Sequence, residues 1–240
     1  MINHHPSDEM LLAHAAGETS FAMALALSAH CELCHQCAER VSLLQQKLAR
    51  HHLSAPSGVN ALDDATRVET RTEAQQSDWL NMDSLFDAIT ATEAEEPVLT
   101  KGDLGPAVTA VKGEQFILPR TFRQLIHSDL ASSWKGLGNV SRLRFDTQDG
   151  KARASLLHIA AGGEIPEHTH KGVEITLLLD GHFSDEFGSY GPGDFMLMDG
   201  SKQHTPITQD GCLCFTVVDA PLHFTRGLSK LLNPIGELIY

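Results

Sequence analysis

The stretch Gly162-Gly163-Glu164-Ile165-Pro166-Glu167-His168-Thr169-His170-Lys171-Gly172-Val173-Glu174 decides how the larger part of this chain folds. His168 and His170 are two residues apart, so on a strand, where side chains alternate, both imidazoles point to one side. Lys171-Gly172 can turn the chain, which lets Glu174 open the next strand and return a carboxylate to the same point. His204 arrives about thirty residues later, beyond the turn-forming Gly191-Pro192-Gly193-Asp194. Three imidazoles and one carboxylate suit a first-row divalent metal, zinc foremost with iron, manganese and nickel open, rather than calcium or magnesium. Histidines on a surface turn are the plainer alternative.

Outward from this point the chain runs in short apolar segments separated by Gly, Pro, Asp and Asn: 155–160, 174–179, 181–186, 194–198 and 212–218. Such spacing predicts an antiparallel sandwich or barrel over residues 111–240. The first 92 residues read differently. Ser7 can cap a short helix with Asp8 and Glu9 in its first turn, and Gly17 can end it. Two more helices follow from the spacing of Phe21, Leu25 and Ser28 and of Ala38, Val41, Leu44 and Leu48. A fourth runs through Trp79, Met82, Leu85, Phe86 and Ile89, read first as a core stripe and second as a face for a partner. Residues 51–76 read as a loop and 93–110 as a linker. The expected organisation is therefore multidomain α + β, with a small helical bundle followed by a β-barrel.

The helical part carries its own donor set. In His30-Cys31-Glu32-Leu33-Cys34-His35-Gln36-Cys37, the side chains of His30, Cys34 and Cys37 fall on one helical face. Tetrahedral zinc needs a fourth ligand, which His5 or His4 could supply from just ahead of the first helix. Cys31, Cys34 and Cys37 also form an evenly spaced thiol set, which leaves a purely redox reading open.

Composition limits the partners. With 18 basic and 31 acidic side chains, the net charge of −13 disfavours direct nucleic-acid binding, which needs clustered Lys and Arg. Residues 60–96 hold ten acidic side chains against two basic ones, which suits a basic protein partner or a solvated linker. No apolar run approaches the roughly 20 residues that span a bilayer. With no signal-like N-terminus either, the chain is expected in the cytoplasm and away from membranes. Five cysteines, an odd number in two groups, fit metal or redox chemistry better than a disulfide framework. Cys212 and Cys214, two apart on a predicted strand, read as small buried hydrophobes before redox thiols.

Two resemblances follow from these residues. Gly162, five residues, His168-x-His170, three residues, Glu174, six residues and Gly181 is similar to the first motif of the cupins, whose jelly-roll barrel is thereby implied for 111–240. The second cupin motif is degraded here: Met198-Asp199-Gly200 stands between Gly193 and His204, and no Asn follows. That departure weakens an enzymatic reading more than it weakens the barrel. The opening His4-His5-x-Ser7-Asp8, with His30-x3-Cys34-x2-Cys37, resembles the zinc-binding anti-sigma factors. In that family His5, His30, Cys34 and Cys37 would hold one zinc between short helices, and the helical domain would wrap an extracytoplasmic-function sigma factor.

The combination resembles the ChrR-type regulators of singlet-oxygen and organic-peroxide responses. It implies a zinc-dependent anti-sigma factor with a metal-binding cupin as signal input. A metal-dependent cupin dioxygenase or isomerase with a helical appendage is the rival, and self-association through a cupin edge stays open.

Overall fold

The computed structural model describes residues 1–53, 84–91, 105–126, 128 and 131–225. Helices α1 (Asp8–Ala16), α2 (Phe21–Leu33), α3 (His35–Leu53) and α4 (84–91) come first, and a short α5 (Arg123–Ile126) follows a 3-10 turn at Arg120–Phe122. Ser7 and Ser20 cap α1 and α2 by accepting from Met10 N and Met23 N. Gly17, at φ 74°, ends α1 in the left-handed conformation that glycine adopts without strain. The third helix runs on to Leu53, through residues whose composition reads as the start of a loop. Trp79, Met82, the rest of the predicted loop and the linker up to residue 104 lie outside the described residues.

Two compact units result: residues 1–46 with 105–240, and residues 47–104. In the second unit, α4 leaves Leu85, Phe86 and Ile89 exposed, so the described part of that stripe is not core. No single helix among the described residues is long and apolar enough to cross a membrane.

The first unit is built on an antiparallel six-stranded sheet in the order β10 (Phe195–Met198), β7 (Glu174–Gly181), β12 (Cys212–Val218), β5 (Arg153–Ile159), β4 (Val140–Phe145), β3 (Lys135–Leu137). A three-stranded sheet of β11 (Gln203–His204), β6 (His168–His170) and β13 (Leu222–Phe224) accompanies it, together with hairpins β1–β2 (Val108–Val111, Glu114–Ile117) and β8–β9 (Phe183–Asp185, Gly188–Tyr190). Strands β1 to β4 precede the first strand expected from sequence. In β4 the buried Ser141, Leu143 and Phe145 alternate with Val140, Arg142 and Arg144, and the arginines disguise the period-2 pattern.

Both faces of the large sheet are covered, which is why its central strands read as continuous apolar runs. Along β12, Leu213, Phe215 and Val217 join Leu156, Ile175 and Leu177 in a core shared with the helices, while Cys212 and Cys214 join Ile159, Leu178, Met196 and Met198 in a second core on the opposite face. Cys212 and Cys214 are thus buried on one side of the strand, as their spacing predicts.

Helix α2 lies against β12, β7 and the 3-10 turn. Its Ala22, Ala26 and Ala29 are fully buried, and these small side chains permit close approach. Two carboxylates fix its ends. Asp149, from the β4–β5 loop, accepts from Phe21 N (3.1 Å) and Ala22 N (2.5 Å), where the helix dipole favours negative charge. Glu32, in the last turn, accepts from Arg120 N (2.8 Å) and Thr121 N (2.7 Å) and from the Thr121 hydroxyl. Loss of a helix-capping carboxylate costs about 1 kcal/mol. Asp149→Ala is expected to lower unfolding stability by about that amount in urea denaturation, and an unchanged midpoint would show that the cap is redundant beside Ser20.

Candidate metal sites

Four side chains converge where α1, α2 and α3 meet. His5 precedes the Ser7 cap, His30 lies in the last turn of α2, Cys34 is the single residue between α2 and α3, and Cys37 is in the first turn of α3. Cys34 ends one helix and begins the next: its N–H donates to His30 O (2.7 Å), and its carbonyl accepts from Ala38 N (3.0 Å). Both thiols therefore sit at the start of α3, and burial, with Cys34 beside it, pushes the Cys37 thiol up to about 12, so a bound cation is what would hold it as thiolate.

One donor atom from each of the four lies within 4.8 Å of every other. His5 Nδ1 is 3.4 Å from both Cys34 Sγ and Cys37 Sγ. Zinc bonds of about 2.0–2.3 Å at tetrahedral angles place nitrogen and sulfur about 3.5 Å apart, so the donor set fits that ion. The tautomer fits as well. His30 Nδ1 donates to the Gly193 carbonyl at 2.9 Å, which leaves Nε2 buried, unprotonated and without a protein partner.

The second candidate for the fourth position, His4, turns away, its Nδ1 3.5 Å from Asp194. Cys31 stays outside the group. Burial, with the Cys34 charge adding to it, pushes the Cys31 thiol up to about 11, which makes it a poor redox nucleophile at neutral pH. His35 is exposed and 3.6 Å from Glu39, off the converging face.

The other group lies on the three-stranded sheet, beside Glu174 of β7. His168 and His170, both on β6, point the same way, and β11 pairs beside β6 so that His204 stands opposite His168. His204 Nε2 is 3.1 Å from His168 Nε2 and 3.2 Å from His170 Nε2, close to the roughly 3.0–3.4 Å expected of nitrogens about 2.1 Å from a shared metal. Each ring has an acceptor at its other nitrogen. His168 Nδ1 meets Pro166 O at 3.0 Å, His204 Nδ1 meets Asp185 Oδ2 at 2.9 Å, and His170 Nδ1 lies 3.0 Å from Glu174 Oε2. Two Nδ1 atoms so bonded and a third beside the Glu174 carboxylate leave three Nε2 lone pairs converging, the arrangement that orients metal-binding imidazoles.

Burial, offset in part by Glu174, pushes His168 down to about 4, with His204 and His170 pushing the same way, so that ring is neutral at pH 7. The turn between β6 and β7 needs Gly172, since a Cβ there would strike the Asp219 carboxylate that accepts from Val173 N (2.7 Å).

The three histidines of this group meet as their spacing predicts. Glu174 is at hand, but its carboxylate faces His170 Nδ1 and accepts from the Thr176 hydroxyl (3.0 Å) rather than joining the ring of Nε2 atoms. Asp185 escaped the sequence reading, because its partner is nineteen residues away and no local spacing marks an acidic residue in a hairpin.

A family model described as the ChrR cupin-like domain matches residues 129–220. The chain is 31% identical over 239 residues to the anti-sigma-E factor ChrR of Cereibacter sphaeroides, covering 99% of each. It also resembles a chain in the crystal structure of Rhodobacter sphaeroides SigE in complex with the anti-sigma ChrR, with 26% identity, a TM-score of 0.62 and coverage of 91% of this chain and 100% of that one.

Removing the acceptor behind a metal-binding imidazole typically weakens binding about 10–100-fold. Asp185→Ala is expected to lower affinity at the three-histidine group by that factor, as read by equilibrium dialysis with metal analysis.

Proposed function

The chain belongs to the ChrR family of anti-sigma factors, and from that premise we propose that it holds an extracytoplasmic-function sigma factor off RNA polymerase in a zinc-dependent manner and releases it on oxidative stress. It is a regulator rather than an enzyme, which sets aside the dioxygenase or isomerase reading. The observation that carries this function is the end-to-end likeness to an anti-sigma-E factor, spanning helices and barrel alike.

Residues 1–92 would carry the sigma-binding function, although residues 1–46 pack in one unit with the barrel, and the expected linker at 93–110 must end before β1 at Val108, from which the cupin domain that admits the signal runs on. Support for the first assignment comes from α4, whose Leu85, Phe86 and Ile89 stand in water on one side of the helix. Covering each in a partner's groove would be worth about 1.5–3 kcal/mol. The acidic surroundings of this helix in the sequence suit a basic partner surface. A sigma factor works beside RNA polymerase, so the cytoplasm is the proposed location.

Zinc at His5, His30, Cys34 and Cys37 would be structural, since four protein ligands leave no open position, and its binding free energy would be part of the folding free energy of α1 to α3. His168, His170 and His204, with Glu174 beside them, would hold a second divalent metal, zinc foremost, with positions left for an oxidant or small ligand. Singlet oxygen or an organic peroxide acting there would favour the released state only by interacting differently with the bound and released states.

Co-expressed with its sigma factor, the full chain is expected to co-purify with it and to block transcription from that factor's promoter. Leu85→Asp with Phe86→Asp should weaken the complex about tenfold or more without loss of helicity. Cys34→Ala with Cys37→Ala should release the sigma factor and loosen the helices. A double cysteine variant that stays helical and inhibits fully would end the zinc-dependent reading, and a full chain that binds no sigma factor would end the anti-sigma one.

A further inference from the structure

Both histidines of the four-ligand group are set by one turn of the barrel. Asp194, 2% exposed, accepts from Asn3 N (2.7 Å) and His4 N (2.9 Å) through Oδ1 and from Gly191 N (2.9 Å) through Oδ2. Phe195 N donates to His4 O at 3.0 Å, so residues 3–4 lie zipped to the turn and aim His5. The neighbouring Gly193 carbonyl takes the Nδ1 proton of His30. Gly193 sits at φ 92°, which strains any residue with a Cβ, and a Cβ there would also press on the Ile2 side chain that lies over the turn, so glycine is favoured at this place.

The same turn is joined to the three-histidine group. His204 Nδ1 bonds Asp185 Oδ2, and Asp185 Oδ1 accepts from the Tyr190 hydroxyl at 3.2 Å. Tyr190 ends β9 and leads directly into Gly191, and its ring packs on His4 with centroids 4.9 Å apart. The turn is also anchored to β7, where Leu178 N donates to Asp194 O (3.0 Å) and Gly193 N donates to Leu178 O (2.8 Å), which holds Asp194 in place beside Tyr190. Every link is a direct contact between buried or half-buried groups, so a change in where His204 points is felt at Asp185, at Tyr190 and at the segment that carries His5.

We propose that the turn from Gly191 to Phe195, with Asp194 at its centre and Tyr190 at its entrance, is the joint through which the state of the three-histidine group sets how firmly His5, His30, Cys34 and Cys37 hold a metal. Asp194 and Tyr190 are positioning residues in this scheme and touch neither metal. The inference rests on the reading of the barrel as signal input, and gives that reading a route.

The test uses the full chain loaded with cobalt(II), without sigma factor. The cobalt–thiolate absorption band reports the four-ligand group alone, because the other group contains no sulfur. The rate at which excess EDTA bleaches that band is measured in four proteins: wild type, His168→Ala, Tyr190→Phe and the double variant. His168 bonds Pro166 and packs on Phe224 but touches none of the joint residues, so its loss reaches the joint only through the three-histidine group. His168→Ala is expected to change the rate about threefold or more in the wild-type background and by less than about 1.5-fold beside Tyr190→Phe, a coupling that the cycle isolates. Asp194→Asn should speed bleaching about tenfold with helicity retained.

A His168→Ala effect that is absent, or that is equally large with Tyr190 replaced, would overturn the joint. A chain that binds its sigma factor yet shows no cross-effect loses this inference alone. One that shows the cross-effect yet binds no sigma factor loses the anti-sigma reading and keeps the joint.

Discussion

The architecture depends on the burial of α2 against the six-stranded sheet. Ala22, Ala26 and Ala29 bring the helix close, Leu25 and Leu27 are buried with them, and His30 is carried to the helix end with no exposed surface. Because carboxylates grip both ends of α2, its axial position is fixed to within a hydrogen bond. Everything metal-related in the helical part follows from that placement. Cys34 sits where the helix must stop, Cys37 sits one turn into the next helix, and His30 reaches the Gly193 carbonyl only because α2 does not slide.

The two candidate metal groups show the same division of labour between local and distant residues. In each, sequence-near side chains supply most of the donors: His30, Cys34 and Cys37 in one, His168 and His170 in the other. A sequence-distant histidine completes each set, His5 in the first and His204 in the second. The groups that orient the rings come from elsewhere in the barrel, Gly193 for His30 and Asp185 for His204.

That division explains what was legible beforehand. Periodicity exposes donors that share one element, so both groups could be located from spacing, with the choice between His4 and His5 and the place of the Glu174 carboxylate, expected as a ligand, left to the structure. The orienting partners carry no spacing signal: Gly193 and Asp194 read only as turn residues, and Asp185 only as a charge at a strand end. The helices were visible from caps and period, yet their intimate contact with the barrel was not, because alanines on one helix face declare closeness only once the opposing surface is known. Strand β4 was hidden by arginines that alternate with its buried residues, and Glu174 was placed on the expected strand although its carboxylate serves His170 from behind.

The cover for α2 is also made late. The helix ends at Leu33 and the strand that packs on it, β12, begins at Cys212, so about 180 residues must leave the ribosome between the two. At synthesis rates of about 5–20 residues per second the interval is on the order of 10–40 s, long beside helix formation. Throughout it an Ala- and Leu-rich helix has no sheet to lie on, and the nascent chain must shield that surface by local helix contacts, by chaperones or by early capture of another protein. Folding of this regulator is therefore a long-range event, with its earliest segment waiting for its last strands.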